Sequence, residues 1–349
     1  MLLYVCMRFT MTIMTIDKQN VHLLNVSRTF ALTIPLLPEI LRDWVGNTYL
    51  LCRIVDTIED DPKLNKELKI KYLNEFPLLL KEFNPDLMSG FKRSLSELIT
   101  NSAKPTELSL VNELDSVIER YYSFDEPVRN IIKRCLEVMC SGMKQIDRWS
   151  KISTLDELDA YCYFVAGVVG ELLLRLFALY SPKINENYSK LLPLSVSFGA
   201  ALQLTNIIKD IHDDKERGVS WLPFKATSGA DFNTEYAEYI NVAYGHCVQA
   251  LEFIEIIPKK EGGIREFCLL ADTLAIFTLR KIKKNFHNCN NSIKLSRKFV
   301  KVVFIFVKLF KKNNLLLSLL FKYVAKGYIT PYYRSEFDLY KKVSTWDYK

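Results

Sequence analysis

The fold class follows from one segment of the chain, which reads Tyr49-Leu-Leu-Cys-Arg53-Ile-Val-Asp56-Thr-Ile-Glu59-Asp60-Asp61. Its apolar residues recur at the three- and four-residue spacing of an α-helix. On such a helix Asp56 and Asp60 lie one turn apart, so both carboxylates face the same side, with Arg53 one turn earlier. The Asp61-Pro62 pair predicts the end of the helix, because the residue before a proline avoids the helical region. The segment therefore predicts a helical protein with an acidic stripe on a largely apolar helix.

A second segment repeats this combination and reads Gln203-Leu-Thr-Asn206-Ile-Ile-Lys209-Asp210-Ile-His-Asp-Asp214. Its polar members would form one stripe on an otherwise apolar helix. Carboxylates stacked on one face repel each other unless a hard divalent cation lies between them, and all-oxygen ligation suits Mg²⁺. Mg²⁺ shares its coordination shell with substrate phosphates, so such stripes are typical of diphosphate sites. One acidic stripe alone is more often a solvated surface, but two stripes embedded in apolar helices favour a functional site.

The rest of the sequence also favours helices. Glycine and proline together supply 24 of the 349 residues, or about 7%, whereas the usual share is ~12%. A chain with so few turn residues favours long helices over a many-stranded sheet. Thr154 and Glu157 form a capping-box pattern that starts a helix through Tyr161, which we expect to loosen at Gly167 and Gly170. Further helices are predicted over residues 38–60, in two short pieces within 65–107, and over 108–122, 127–149, 193–214, 234–263, 264–284 and 292–325.

No repeat, low-complexity segment or linker divides the chain, so we predict a single helical domain. Residues 1–19 are interpreted as an N-terminal extension, 20–290 as a catalytic core, and 291–349 as basic, apolar C-terminal helices of the same domain. The eight cysteines include no CxxC pair, and there are four histidines. This composition argues against a disulfide framework, a zinc pattern and a histidine-built metal site, and it favours the cytoplasm, a reducing compartment.

Charge is unevenly distributed along the chain. Residues 273–335 contain 14 Lys and Arg and no acidic residue, whereas the remainder carries 33 basic and 40 acidic residues. A basic segment can face nucleic acid, anionic lipid or a phosphorylated substrate. Because large apolar residues separate its basic ones, we expect no nucleic acid but either lipid, as a peripheral contact with a membrane surface, or an anionic substrate. Lys308, Lys311 and Lys312 interrupt the apolar run, so we expect no segment there of the ~18 residues that span a bilayer.

Three motifs resemble the signatures of the squalene/phytoene synthase family. The segments Ser27-Arg28-Thr-Phe30 and Tyr49–Asp61 resemble the first signature. The second signature matches Tyr161-Cys-Tyr-Phe-Val-Ala-Gly167-Val-Val-Gly170 with Arg175-Leu-Phe177, and the third matches Gln203–Asp214. The matches occur in family order over roughly residues 20 to 300, and the acidic motif is most similar to the squalene synthase branch. The resemblance implies the all-α fold of class I isoprenoid (terpenoid) synthases, a single helical domain with a central active-site cavity. It also implies the head-to-head condensation of two prenyl diphosphates, which are farnesyl diphosphates in that branch.

The resemblance assigns roles to individual residues. Mg²⁺, or alternatively Mn²⁺, is expected to bind Asp56, Glu59 and Asp60 of the first acidic segment and Asn206, Asp210 and Asp214 of the second. Arg28, Arg53 and Lys209 are expected to bind phosphate oxygens. Tyr49 and Tyr161 are expected to handle protons or stabilise a carbocation, alongside the catalytic carboxylates Asp56, Asp60, Asp210 and Asp214. The expected substrate contacts are Ser27, Phe30, Gln203 and Phe267, with Val165 and Leu202 as further apolar lining that keeps water from the cation; the apolar residues and the tyrosines would also fit an ordinary core.

In squalene synthases a second half-reaction follows, in which NADPH reduces the condensation product to squalene. No Gly-x-Gly-x-x-Gly loop for a nucleotide is present; the resemblance instead implies a nucleotide contact at Lys294, and we expect a second one at Arg297, which follows the next basic position of the family by one residue. The match has departures: Ser296 stands at an expected basic position, Asp272 at a neutral polar one, and Ala271 where proline is frequent. These departures weaken the expectation of the reductive step more than that of the condensation.

Alternatives therefore stay open at this point. An enzyme of the same family could stop at presqualene diphosphate, dehydrosqualene or phytoene without NADPH, and the length of the prenyl substrate is undecided between farnesyl and geranylgeranyl diphosphate. A non-catalytic helical protein of the membrane surface is the least favoured hypothesis, because it does not explain two acidic stripes in apolar helices. We expect a monomer rather than an oligomer.

Overall fold

The computed structural model describes residues 16–27, 29–216, 219–225, 229–285, 293–326 and 336–347. These residues form α-helices with short 3-10 and π turns, and no strand occurs among them. The prediction of an all-α fold is confirmed. Arg28 and most of the predicted 1–19 extension lie outside the described residues.

Contacts within the chain divide it into two compact units. The first consists of the described parts of Met1–Ala31 and Glu39–Cys140, and the second of Leu32–Pro38 and the described parts of Ser141–Lys349. The two acidic segments belong to different units. The single catalytic domain with a boundary at residue 290 stays a prediction.

The Glu39–Asp60 helix organises the first unit and confirms the helix predicted over residues 38–60. Buried residues make up 14 of its 22 positions, because its apolar side is covered by several neighbours. Asn47 Nδ2 donates a buried hydrogen bond of 2.9 Å to Val117 O, and Arg120 forms an ion pair with Asp43. The other helices of this unit are Ile16–Val26, Lys66–Glu75, Pro85–Ile99, Pro105–Asn112, Leu114–Tyr122 and most of Glu126–Met143.

Several helices predicted as continuous are interrupted in the structure; the one predicted over residues 292–325, for example, forms the two helices Arg297–Phe310 and Asn314–Ala325. The helix predicted over residues 108–122 is divided at Glu113, whose backbone leaves helical geometry with φ −99° and ψ 13°. The Glu113 N–H donates to Leu110 O, three residues back, which tightens the chain at that point. The helix predicted over residues 127–149 ends at Met143, and a separate turn, Ile146–Trp149, follows it.

The Tyr188–Lys209 helix organises the second unit, and 14 of its 22 residues are buried. It contacts the helices Val168–Tyr180, Gly229–Ile256 and Gly262–Lys284. Its first residue lies five positions before the predicted start. The remaining helices of this unit are Ile146–Trp149, Leu155–Cys162, Pro182–Asn185, Ile211–Glu216, Arg297–Phe310, Asn314–Ala325 and Glu336–Val343.

The predicted capping box is present in the second unit. Thr154 Oγ1 accepts from Glu157 N, and Glu157 Oε2 accepts from Thr154 N, each at 3.2 Å. The helix that it starts widens into a π turn over Tyr163–Gly167, in agreement with the loosening expected at Gly167. Gly170 has a packing role instead, because a Cβ there would lie 1.9 Å from Ser195 O of the neighbouring helix.

Two helical stretches, Leu155–Tyr180 and Tyr188–Lys209, are long and apolar enough to cross a membrane. Their most apolar windows are 67% and 78% buried inside the structure. Burial of this extent is what the core helices of a globular unit show, so length and composition are weak evidence for a membrane span here.

Candidate active site

In the first unit, Arg53 connects two carboxylates. Its Nη2 forms a hydrogen-bonded ion pair with Glu107 Oε1, and its Nη1 lies 3.8 Å from Asp56 Oδ2. Arg53 and Asp56 share one face of the Glu39–Asp60 helix, whereas Glu107 comes from the first turn of Pro105–Asn112. Lys104 Nζ adds a second cation 3.3 Å from Glu107 Oε1. The guanidinium is therefore fixed from one side and presented next to Asp56.

The carboxylates of the first acidic segment ionise with difficulty. Desolvation raises the pKa of Asp56 to about 7, with a further rise from Asp60 and Glu107 and an opposing effect of Arg53. Desolvation also raises the pKa of Glu59 to about 8, and the negative charges of Asp60 and Asp56 add to the rise. Carboxyl groups crowded in this way favour either a proton or a cation, because each relieves the repulsion.

The last two residues of the acidic motif have different surroundings. Asp60 is exposed at the end of the helix. Asp61 is only 4% exposed; its Oδ1 accepts from Lys63 N at 2.8 Å, and its Oδ2 accepts from Ser102 Oγ at 2.7 Å. Asp61 therefore shapes the turn after the helix, which leaves Asp56, Glu59 and Asp60 as the acidic side chains available to a ligand.

Ser27, Phe30 and Tyr49 lie together in the first unit, as candidates of one site should. Ser27 Oγ accepts from Phe30 N at 3.0 Å, and the rings of Phe30 and Tyr49 are 5.1 Å apart between centroids. Burial raises the pKa of Tyr49, and a hydrogen bond with the Ser27 side chain partly opposes that rise. Tyr49 therefore keeps its proton. The position of Arg28, which the sequence places beside Ser27, is not among the described residues.

In the second unit, Lys209 lies between two oxygen ligands of the second acidic segment. Its Nζ is 3.1 Å from Asn206 Oδ1 and 3.1 Å from Asp210 Oδ2. Two oxygens that converge on one ammonium group also suit a metal cation at that position. Gln203 lies one turn before Asn206 on the same helix and is half-buried.

The continuous stripe predicted from Gln203 to Asp214 needs a correction. The Tyr188–Lys209 helix ends at Lys209, because Asp210 takes φ −98° and ψ 11°, and a short helix, Ile211–Glu216, follows. Hydrogen bonds of 2.9 Å from Asp210 N to Asn206 O and from Asp214 N to Asp210 O keep the chain turning across the break. Asp214 is 6% exposed, so it is more enclosed than the exposed Asn206 and the half-buried Asp210.

Tyr161 belongs to an aromatic cluster of the second unit. Its ring stacks on Trp221 at 4.3 Å with an interplanar angle of 12°, and Trp149 meets it at 5.6 Å and 60°. Trp149 Nε1 donates to Gly142 O at 2.7 Å, which orients that indole. Phe267 is fully buried against Phe177, while Val165 and Leu202 are half-buried.

The two expected nucleotide contacts, Lys294 and Arg297, are exposed. Ser296 is the N-cap of the Arg297–Phe310 helix, and its Oγ accepts from Phe299 N at 3.2 Å. Ser296 stands where the family is expected to have a basic residue, and the structure gives the reason: serine caps a helix, whereas a basic residue does not.

The squalene/phytoene synthase family model matches residues 23–300 of this chain. The chain belongs to the squalene/phytoene synthase family. Squalene synthase ERG9 of Candida albicans is 30% identical over 299 residues, which cover 77% of this chain and 63% of that protein. The squalene synthase of Schizosaccharomyces pombe is 30% identical over 285 residues, which cover 74% of this chain and 58% of that protein. The chain therefore spans about three fifths of the length of these relatives.

Solved structures show the same fold. A ligand complex of TcSQS superposes with a TM-score of 0.73 at 21% identity, covering 94% of this chain and 96% of that one. A ligand complex of a dehydrosqualene synthase gives 0.57 at 17% identity, covering 85% and 96%. The fold predicted from the motifs, that of the class I isoprenoid synthases, is confirmed.

The donor set of each acidic segment fits Mg²⁺. No group of three or more His, Cys, Asp or Glu in metal-binding geometry is found among the described residues. Mg²⁺ does not require such a cage, because it is usually bound through one or two carboxylates, waters and substrate phosphates. Asp56 with Glu59, and Asp210 with Asn206, each supply oxygens of this kind within one unit.

Sequence reasoning missed several residues that contact predicted site residues, among them Glu107 and Trp221. Glu107 binds Arg53 from 54 positions away, and Trp221 stacks on Tyr161 from 60 positions away in a segment without regular structure. A lone acid at the start of a short helix and a lone tryptophan in a loop carry no periodic signal. The signal that could have led to Glu107 is Arg53 itself, because a half-buried arginine needs an acidic partner.

Proposed function

We propose that this protein condenses two farnesyl diphosphates head to head through presqualene diphosphate and then reduces the product to squalene with NADPH. The observation that carries the proposal is the pair of acidic segments, each with an adjacent cation, in a chain of the squalene/phytoene synthase family. Squalene synthases among its relatives support the choice of product.

Ionisation of an allylic diphosphate leaves a carbocation and an expelled diphosphate. Mg²⁺ bound to the acidic segments would supply positive charge to the departing oxygens. Arg53, fixed by Glu107, presents N–H donors in one unit, and Lys209 presents an ammonium group in the other. Fixed donors of this kind stabilise charge as it develops without reorganising.

The carbocation needs an apolar, electron-rich and dry environment. The stacked rings of Tyr161 and Trp221 offer π faces, and cations are attracted to such faces. Phe30 and Tyr49 offer a second pair of rings in the first unit. Tyr49 keeps its phenolic proton because burial raises its pKa, so its hydroxyl is neutral and can donate a hydrogen bond.

The reductive half has less support than the condensation. Lys294 and Arg297 are exposed cations that fit the phosphates of NADPH by charge. Ser296 serves as a helix cap instead of a third cation, an observation that favours the alternative product, dehydrosqualene or presqualene diphosphate formed without NADPH. Phytoene from geranylgeranyl diphosphate is the corresponding alternative for a longer substrate.

The test is gas chromatography of the products formed from farnesyl diphosphate with Mg²⁺, with and without NADPH. Squalene that appears only with NADPH supports the proposal, while an identical product in both reactions assigns the protein to the alternative. Replacing Lys294 and Arg297 together with alanine should leave the condensation running and divert product from squalene to dehydrosqualene-like by-products. Chelation by EDTA should stop both half-reactions, and added Mg²⁺ should restore them.

The proposed setting is the cytoplasmic side of a membrane, with peripheral contact and no nucleic acid partner. A monomer stays the predicted state. Support comes from the basic, apolar segment of residues 273–335 and from the nature of the proposed product, a hydrocarbon that partitions into lipid.

A further inference from the structure

The helices Arg297–Phe310 and Asn314–Ala325 carry large apolar side chains on their outer sides. Val302, Ile305 and Leu309 are 61%, 58% and 69% exposed. Leu315, Leu319 and Tyr323 are 70%, 51% and 64% exposed. The spacing of three or four residues places each set in a single stripe along its helix. These six residues are called the outer apolar face.

The opposite sides of the same helices are packed. Val303 and Val307 of the first helix, and Leu317, Phe321 and Val324 of the second, are at most 3% exposed. Both helices contact the Gly262–Lys284 helix. The outer apolar face is therefore additional to the core and does not contribute to it.

A buried arginine fixes the turn between the two helices. Arg265 is 0% exposed; its Nε donates to Lys311 O at 2.7 Å, its Nη2 to Asn314 Oδ1 at 2.6 Å, and its Nη1 to Ile257 O at 2.7 Å. A guanidinium buried with several hydrogen bonds strongly constrains what it binds. The two helices consequently keep their apolar stripes outward.

Lysines border the outer apolar face. Lys301, Lys308 and Lys312 lie beside the first stripe, and Lys322 and Lys326 beside the second; all five are exposed. The acids that contact these helices are engaged on the inner side, where Glu255 Oε1 accepts from Ser318 Oγ at 2.8 Å and Glu266 pairs with Lys311. Acidic residues are absent from positions 273–335, so the outer side is positive as well as apolar.

An apolar stripe bordered by lysines is the pattern of helices that lie in the plane of a membrane interface. The lysine stems extend along the apolar surface while the ammonium groups reach the lipid phosphates. A second copy of this chain fits less well, because two positive faces would repel each other. We propose that the outer apolar face docks onto an anionic lipid bilayer, with the five bordering lysines bound to lipid phosphates.

The test is flotation of the whole protein with vesicles of phosphatidylglycerol and phosphatidylcholine, and with vesicles of phosphatidylcholine alone. Binding should require phosphatidylglycerol and decrease with added salt, which screens exposed charges. The variant Lys301→Gln/Lys308→Gln/Lys312→Gln should bind on the order of 10²-fold more weakly, from the contribution of each basic residue near a charged surface. The control Lys151→Gln/Lys183→Gln/Lys190→Gln removes three exposed lysines of other elements and should bind as the unmodified protein does.

A second variant tests the apolar part. Ile305→Gln/Leu309→Gln/Leu319→Gln changes exposed side chains only, so circular dichroism should show unchanged helix content while vesicle binding is lost even at low salt. Equal binding to neutral vesicles, or equal binding of the two lysine variants, would overturn the proposal. A lipid-free dimer in light scattering that is lost in the Ile305/Leu309/Leu319 variant, without vesicle binding, would assign the face to a second copy.

The docking proposal does not depend on the proposed reaction, and the two can fail separately. Condensation measured in detergent should be normal in all three variants. Activity without vesicle binding overturns docking alone, whereas vesicle binding by a protein that makes no condensation product overturns the proposed reaction alone.

Discussion

The two acidic segments use the same residue types in different surroundings. In the first unit, Asp56 lies within an unbroken helix next to Arg53, whose guanidinium is bound by Glu107. In the second unit, Asp210 lies where a helix ends, and Lys209 reaches both Asp210 and Asn206. A planar guanidinium fixed by a second carboxylate presents donors in one geometry, while an ammonium group on a flexible stem can occupy several positions.

This difference suggests a division of work between the segments. In the first segment, which we call the fixed frame, Glu107 holds the Arg53 guanidinium in one position. Desolvation, and then the crowding of the carboxyl groups, raise the pKa values of Asp56 and Glu59 there. We propose that the second can rearrange: Lys209, which now contacts Asn206 and Asp210, would turn to a phosphate when a metal binds those two oxygens.

The largest loss of activity should follow from removing the carboxylates of the acidic segments, and the loss should be equal in both units. Asp56→Ala, Asp60→Ala, Asp210→Ala and Asp214→Ala should each lower kcat on the order of 10²-fold or more, because each removes a proposed ligand of the Mg²⁺ that would bind the diphosphate. Exposed acids outside the segments, changed in Glu67→Ala and Glu186→Ala, are the controls and should turn over normally. Near-normal rates in two of the four variants at saturating Mg²⁺ would contradict the metal assignment.

Glu107→Gln tests whether the first acidic segment depends on a fixed Arg53, through its effect on the free energy of unfolding. Loss of the charged hydrogen bond to Arg53 should lower the free energy of unfolding by about 2 kcal/mol, since bonds to charged groups contribute roughly 1.5–3 kcal/mol. Urea denaturation monitored by circular dichroism measures this, with Glu97→Gln, an exposed acid of the same unit, as the control. Equal stability of the two variants would show that Arg53 does not need its partner.

Asp272 offers a third carboxyl environment, without a cation. It is 0% exposed, and among the described residues the hydrogen bonding of its carboxyl group is confined to the Cys247 thiol. Burial raises its pKa well above the usual range, and burial likewise raises those of the nearby Cys247 and Cys268 thiols. Asp272 therefore stays protonated in the folded protein at pH values where the unfolded chain has lost that proton.

The sign of its pH dependence follows from that difference. Between the unfolded pKa of about 4 and the folded pKa, each pH unit should cost about 1.4 kcal/mol of folding free energy, because the folded state binds more protons. Asp272→Asn removes this slope, so its stability relative to the unmodified protein should increase as the pH rises above the unfolded pKa of about 4. Parallel stability profiles of the two proteins would show that Asp272 is ionised in the folded state.

The smallest effect on stability should come from Lys209→Ala. Its ion pair with Asp210 is partly exposed, and such pairs contribute only about 0–1 kcal/mol. The change should instead appear in KM for the prenyl diphosphate, which should rise several-fold, with Lys209→Arg intermediate because it keeps the charge. A loss of stability as large as that of Glu107→Gln would remove the distinction between the two segments.

Local signals in the sequence were enough for the elements that carry each segment. The apolar period and Asp61-Pro62 predicted the Glu39–Asp60 helix, and the Thr154 and Glu157 pattern predicted a capping box that is present. Such features depend on residues within one or two turns of each other. The predictions failed at Glu113 and Asp210, where one residue with non-helical backbone angles interrupts the helix. The periodic pattern of side chains continues across such a residue and does not reveal the break.

The helical class, the two acidic segments and the family could all be inferred before the structure, because each depends on residue types at short, regular spacing. Only packing between distant parts of the chain brings together Arg53 with Glu107, Tyr161 with Trp221, and Arg265 with the turn between the helices of the outer apolar face. These pairs join residues 46 to 60 positions apart. Contacts at such separations form only when packed helices bring them together, so no local period encodes them.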